Sequence, residues 1–202
     1  MTTVTIIDYG MGNLDSLSRA IEQCGGAPLL TTDAATITTA TKIILPGVGA
    51  FPKAMQNLRD LGLIDAIHEA AKTRPILGIC LGMQLLADSS CEIEQTSGLG
   101  LIPGNIERLV PQQMERVPHV GWNEVVHDGH DALMSNIPSG VDFYFVHSYR
   151  FACANVADAV ATTPYCGTTT CIVSRNNVRG VQFHPEKSLP WGFQLLRNFL
   201  AM

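Results

Sequence analysis

The segment Gly78-Ile79-Cys80-Leu81-Gly82-Met83-Gln84 sets a cysteine between two glycines, with an apolar run before it and a helical pattern after it. A thiol at the tip of a strand-to-helix turn is presented as a nucleophile on an elbow. The glycines permit the sharp backbone because no Cβ obstructs it. A following helix offers unpaired N–H groups and the positive end of its dipole, and both favour thiolate, the attacking form. The Leu81 N–H is then placed to bind an oxyanion. A small buried cysteine filling a glycine-rich turn is the plain alternative. Cys24, Cys91, Cys153, Cys166 and Cys171 lack this setting and read as structural.

A cysteine nucleophile needs a base. Of the six histidines, His184 is best placed: it ends the run Val181-Gln182-Phe183 and precedes Pro185-Glu186. Pro185 stiffens the connection. Glu186 can orient the imidazole and stabilise its charged form. Cys80, His184 and Glu186 are therefore the candidate catalytic set, and the fold must join residues 104 positions apart. His119 and His147 flank strands and read as half-buried sheet residues. His68 reads as a helix-packing or solvated side chain. His127 and His130 lie in His127-Asp128-Gly129-His130-Asp131, which fits an exposed turn better than a metal site. No metal or cofactor is expected.

Two glycine loops follow strands. Pro46-Gly47-Val48-Gly49 can bring backbone close to a ligand and supply a second oxyanion N–H from Val48 or a neighbour, although an ordinary strand-end turn would look the same. Asp8-Tyr9-Gly10-Met11-Gly12-Asn13 fails the dinucleotide fingerprint, because Asp15 stands where the third glycine belongs.

The elements that must position these residues change style along the chain. In the first half, strands at Val4–Ile7, Pro28–Thr31, Lys42–Leu45 and Pro75–Ile79 alternate with helical patterns at Leu14–Ile21, around Met55–Leu58, at Leu63–Ala71 and from Met83 to Ala87. Asp33 can cap a short helix, and Gly25-Gly26 ends the first one. Such alternation predicts a mostly parallel sheet flanked by helices, with its chemistry at the carboxyl ends of the strands. The second half predicts strands at Leu101–Leu109, Gly121–Val126, Phe143–Tyr149, Val160–Thr163, Cys171–Ser174 and Val178–Phe183, so antiparallel strands are added there. Asn176-Asn177 marks a tight turn. A helix over Trp191–Leu200 closes the chain, and the style changes within Ser89–Ser97. The fold class is α/β, with residues 1–202 as a single domain.

Composition excludes several functions. The 202 residues are 46% hydrophobic and 15% charged with a net charge of −5, which suits a substantial core and lacks a nucleic-acid footprint. No apolar run approaches the roughly 20 residues of a membrane helix. Met1-Thr2-Thr3-Val4 lacks the features of a signal peptide. Six cysteines without CxxC spacing suit reduced thiols in the cytoplasm.

Gly78-Ile79-Cys80-Leu81-Gly82-Met83-Gln84, followed by Gln182-Phe183-His184-Pro185-Glu186, resembles the paired signature of class I, triad-type glutamine amidotransferases. More narrowly, five blocks resemble the glutaminase subunits of imidazole glycerol phosphate synthases. They are Asp8-Tyr9-Gly10-Met11-Gly12-Asn13-Leu14, Leu45-Pro46-Gly47-Val48-Gly49, Pro118-His119-Val120-Gly121-Trp122-Asn123, Tyr144-Phe145-Val146-His147-Ser148-Tyr149 and His184-Pro185-Glu186-Lys187-Ser188. Arg179 departs from the pattern, which has an aromatic residue before Gly180.

The resemblance implies that Cys80 attacks the side-chain amide of glutamine. Gln84, with Gly47 and Gly49, would hold the substrate, and Leu81 and Val48 would bind the oxyanion once the peptide of the Pro46–Gly49 strand has turned. It also implies a heterodimer with a (β/α)₈-barrel cyclase subunit of histidine biosynthesis, with Asn13, Tyr144 and Lys187 at or near the interface. An amidotransferase of another synthase, a non-catalytic scaffold on the same fold, and a cysteine hydrolase of another γ-glutamyl substrate remain the alternatives. The Asp8–Asn13 block and Lys187-Ser188 argue for the histidine pathway.

Overall fold

Short apolar strands separated by amphipathic helices bury both sheet faces, because each crossover lays an apolar stripe across one face. The computed structural model describes residues 1–202. Its first half runs β1 (Thr2–Ile7), α1 (Leu14–Gln23), β2 (Gly26–Thr31), α2 (Ala34–Thr39), β3 (Ile43–Leu45), α3 (Phe51–Asp60), α4 (Ile64–Ala71), β4 (Ile76–Ile79) and α5 (Leu81–Leu85). Asp33 caps α2, its Oδ2 accepting from Thr36 N at 2.8 Å. Along β3, Ile43 and Leu45 enter the core on one sheet face, which holds Phe51, Leu58 and Ile67. Ile44 enters the other, with Leu17, Phe183 and Phe199.

The second half contains β5 (Ser89–Ser90), β6 (Thr96–Ser97), β7 (Gly104–Arg108), β8 (His119–His127), β9 (Val141–His147), β10 (Tyr149–Cys153), β11 (Ala159–Pro164), β12 (Thr168–Arg175), β13 (Val178–Val181) and α6 (Trp191–Ala201). The large sheet has the order β2-β1-β3-β4-β13-β12-β11-β8-β9. β2 through β13 are parallel, and the remaining pairings are antiparallel. A smaller sheet runs β10-β7-β5-β6. No helix is long and apolar enough to cross a membrane.

Three differences from the sequence reading have physical causes. The strand expected over Leu101–Leu109 is confined to Gly104–Arg108, because the Leu101 and Ile102 N–H groups close the end of α5 on the Leu86 carbonyl at 2.9 and 3.0 Å. The strand expected over Phe143–Tyr149 breaks at Ser148, where the chain leaves one sheet for the other. β5 and β6 are two residues each, too short to leave a periodicity.

Candidate active site

β4 ends at Ile79, and Cys80 turns the chain with φ 55° and ψ −110°, a left-handed conformation rare for a residue with a side chain. Contacts on both sides hold it there. Cys80 N donates to the Val181 carbonyl at 2.8 Å, and Gln84 N donates to the Cys80 carbonyl at 3.3 Å, closing the first turn of α5. Gly82 is required by packing: a Cβ at this position would lie 1.8 Å from the Leu45 carbonyl oxygen. The backbone of α5 thus rests on the end of β3, which keeps Cys80 at the carboxyl edge of the sheet.

The same edge receives His184. β13 lies beside β4 in parallel register, Val181 opposite Ile79. Parallel neighbours are about 4.8 Å apart, so their carboxyl ends emerge side by side. This pairing removes the 104-residue separation between Cys80 and His184. His184 N donates to the Tyr144 carbonyl at 2.9 Å, and the Ser188 hydroxyl donates to the His184 carbonyl at 2.6 Å. The His184 Nδ1 lies 2.8 Å from Glu186 Oε1, with both side chains about 95% shielded at 6% and 4% exposure.

Burial alone would lower the basicity of His184. The adjacent Cys80 sulfur and the Glu186 carboxylate more than reverse this, raising its pKa to about 10. In this structure the Cys80 thiol donates to the Val146 carbonyl at 3.7 Å.

Cys80, Gln84, Glu92, His147 and His184 line one cavity of about 280 Å³. That volume is just below the ~300–1,000 Å³ typical of ligand sites, and it suits an amino acid better than a nucleotide. The amide nitrogen of Gln84 donates to the Tyr149 carbonyl at 3.3 Å and to Gln182 Oε1 at 3.0 Å. Both hydrogens are thereby used, which leaves the Gln84 oxygen to accept from a ligand. Gln182 Nε2 in turn points at Cys80 Sγ from 3.8 Å. No group of three or more His, Cys, Asp or Glu side chains is assembled for a metal.

The loop after β3 faces the elbow. The Tyr9 hydroxyl donates to the Pro46 carbonyl at 2.6 Å, and Leu81 N donates to the Gly47 carbonyl at 3.3 Å. The Leu81 N–H, expected to be open for an oxyanion, is therefore engaged. In a trans peptide the N–H opposes the carbonyl, so the Val48 N–H points away from Cys80. The loop brings its backbone to Cys80 and Leu81 with its carbonyl inward.

Residues 5–202 match the family model described as glutamine amidotransferase class-I. The chain belongs to this family. Among similar proteins is the imidazole glycerol phosphate synthase subunit HisH of Moorella thermoacetica, 48% identical over 98% of this chain and 94% of that protein. The subunit of the same name from Herpetosiphon aurantiacus is 44% identical, again over 98% and 94%. The solved structure of PurLQS from Thermotoga maritima shares the fold with a TM-score of 0.75, at 19% identity over 99% of this chain and 98% of that one.

The amidotransferase carries an exposed face on β8 and β9. Val120 lies opposite Val146, and Trp122 opposite Tyr144, so their side chains share one side of the sheet. Val120 and Trp122 are 57% and 53% exposed. Trp122 meets the Tyr144 ring edge-on at 5.8 Å, and the Lys187 ammonium sits 5.7 Å from the centre of that ring. Asn13 caps α1, accepting from Ser16 N at 3.5 Å. Arg179 pairs with Asp131 at 3.1 Å, away from Cys80.

The sequence reading did not select Tyr9, Glu92, Gln182 or His147 for the amidotransferase site. Gln182 was within reach, since it lies in the block that contains His184. Glu92 sits between two two-residue strands, where no pattern marks it. It is fixed there by Phe51 N, which donates to Oε2 at 2.8 Å.

Proposed function

We propose that this chain is the glutaminase subunit of an imidazole glycerol phosphate synthase, acting as one domain over residues 1–202 in the cytoplasm, with Cys80, His184 and Glu186 as its catalytic triad. One observation carries the reading. A strained cysteine and a histidine held by a buried carboxylate at 2.8 Å open into a single amino-acid-sized cavity.

The chemistry follows from these groups. His184 takes the thiol proton, and the Cys80 sulfur then attacks the side-chain amide carbon of glutamine. Nδ1 is held by Glu186, so Nε2 is the ring atom that exchanges the proton. The tetrahedral intermediate collapses as His184 returns the proton to the leaving nitrogen, releasing ammonia and a γ-glutamyl thioester. Water adds to the thioester, the C–S bond breaks, and glutamate leaves with the thiol restored. Leu81 and Val48 supply the oxyanion N–H groups after the Gly47–Val48 peptide rotates. Gln84 accepts from the substrate, and Gly47 and Gly49 let the backbone approach it. Glu92 offers the cavity a carboxylate for the substrate's ammonium.

The partner is a (β/α)₈-barrel cyclase subunit that consumes the ammonia. The relatives' description as a subunit supports a second chain. The exposed apolar cluster of Val120, Trp122, Tyr144 and Val146, with Lys187 beside it, is the surface offered to that chain. Asn13 is the third position we assign near that interface. Ammonia escapes as ammonium when it meets water, so a sealed passage is useful only when the acceptor is docked. An inward Gly47 carbonyl suits a free subunit kept idle until then. Glutamate release from glutamine, measured with and without a cyclase subunit and its nucleotide, tests this. Low turnover alone and strong activation by the pair are expected; equal turnover in both would remove the coupling.

A further inference from the structure

Two buried histidines beside the catalytic cavity take no part in the chemistry above. His119 and His147 are 3% and 5% exposed, and they face inward from the strands whose outward side carries Trp122 and Tyr144. His147 Nδ1 lies 2.8 Å from the Tyr149 carbonyl, which can only accept, so Nδ1 carries the hydrogen. In a neutral ring Nε2 is then bare. His119 Nδ1, 3.0 Å from it, must therefore be a donor. That leaves His119 Nε2 bare in turn, and it accepts from Asn123 Nδ2 at 3.3 Å. The Asn123 amide orientation agrees, since its Oδ1 accepts from Glu124 N at 2.9 Å. Every bond in the chain points the same way.

The chain ends where the substrate site begins. Tyr149 opens β10 in the small sheet, and His147 closes β9 in the large one. The His147 bond spans the corner between them. The Tyr149 carbonyl also accepts from Gln84, whose remaining hydrogen goes to Gln182. Stacking fixes His119 as well: its ring lies 3.7 Å from Tyr165 and 4.7 Å from Phe145, centre to centre. Burial keeps both rings neutral, lowering the pKa of each to about 4.

We propose that His119 and His147 are positioning residues for glutamine, a pair locked as Nδ1–H tautomers that holds the Tyr149 carbonyl and thereby aims the Gln84 oxygen into the cavity. The inference rests on the glutaminase reading and deepens it. In water the Nε2–H form of imidazole predominates, so two Nδ1–H rings are a specific signature.

Nitrogen-15 NMR of the isolated chain reads the tautomers directly, without any variant. Two rings protonated at Nδ1 and bare at Nε2, those of His119 and His147, are expected at neutral pH. An Nε2–H on either His119 or His147 overturns the proposal. Kinetics of the complex with the cyclase subunit give the second arm. His119→Phe keeps the stacking and removes the donor, and it is expected to raise KM for glutamine about 3- to 10-fold with kcat within about twofold, the loss of one ordinary hydrogen bond. His119→Asn keeps a donor nitrogen at the Nδ1 position and is expected to restore KM. A wild-type KM in His119→Phe, or equal damage in both variants, refutes the positioning role. Failure of the wild-type complex to release glutamate would instead refute the glutaminase reading.

Discussion

Leu81 N donates to the Gly47 carbonyl at 3.3 Å, so the N–H group best placed to stabilise an oxyanion is satisfied by the loop that would supply its companion. Rotating the Gly47–Val48 peptide frees the first N–H and turns the second inward together. The rotation is local, because the Tyr9 hydroxyl anchors Pro46 on one side and Gly49, at φ +114°, accommodates the change on the other. Trapping Cys80 with a glutamine-like electrophile such as diazo-oxo-norleucine should produce this state. A crystal structure of the adduct is expected to show the Leu81–Gly47 bond broken and the Val48 N–H on the oxyanion. An adduct with that bond intact would discard the two-donor arrangement.

Gly47 tolerates no side chain. A Cβ there would lie 2.6 Å from the Tyr9 hydroxyl, 2.8 Å from Leu81 Cβ and 2.9 Å from Gly82 N. Gly47→Ala is expected to cost about 1–3 kcal/mol in urea denaturation through overpacking, and to depress glutaminase activity in the complex. Gly82→Ala, whose Cβ would overlap the Leu45 carbonyl, should cost more than that or prevent folding. A Gly82→Ala protein of wild-type stability would contradict the close approach of α5 to β3.

The triad roles separate by magnitude. Cys80→Ala should abolish glutamate release, since no other group can form the thioester. His184→Asn removes the proton carrier and is expected to lower kcat by about 10²–10⁴. Glu186→Gln should be milder, because it removes the orienting charge and leaves the imidazole in place. Steady-state kinetics on the three variants with the cyclase present checks the order; a Glu186→Gln enzyme weaker than His184→Asn would reverse the assignment.

Stability should fall on both sides of neutrality, for different residues. His119 and His147 have folded pKa values near 4, lowered from 6.5, so the unfolded chain binds protons more readily below about 6.5. Their contribution is present above that pH and is lost as pH falls towards 4. His184 is raised to about 10, so its contribution is full below about 6.5 and is lost as pH rises towards 10. Urea midpoints measured from pH 4 to 10 should trace this profile. His119→Phe is expected to flatten the acid side and Glu186→Gln the alkaline side; the opposite assignment would show that other groups set the profile.

Residues close together in the chain determined what was legible in the sequence. The Gly78–Gly82 run marks the elbow, although Gly82 is required by its approach to Leu45; Asp33 specifies the cap of α2 and Asn176-Asn177 the turn into β13, because each of these depends on backbone conformation or hydrogen bonds within a few positions. The alternation of apolar runs marked the strands and helices of the first half, and His184-Pro185-Glu186 marked a base beside its carboxylate. Tertiary structure decided the rest. The insertion of β13 beside β4 brings His184 to Cys80, and strand pairing is a choice among partners that no local pattern records. The register of β8 on β9 turns His119 and His147 inward and Trp122 outward, and a slip of one residue would exchange the two faces. The direction of the Gly47 carbonyl depends on Leu81, 34 residues away, so a glycine's own freedom allows either orientation and only the packed neighbour selects one.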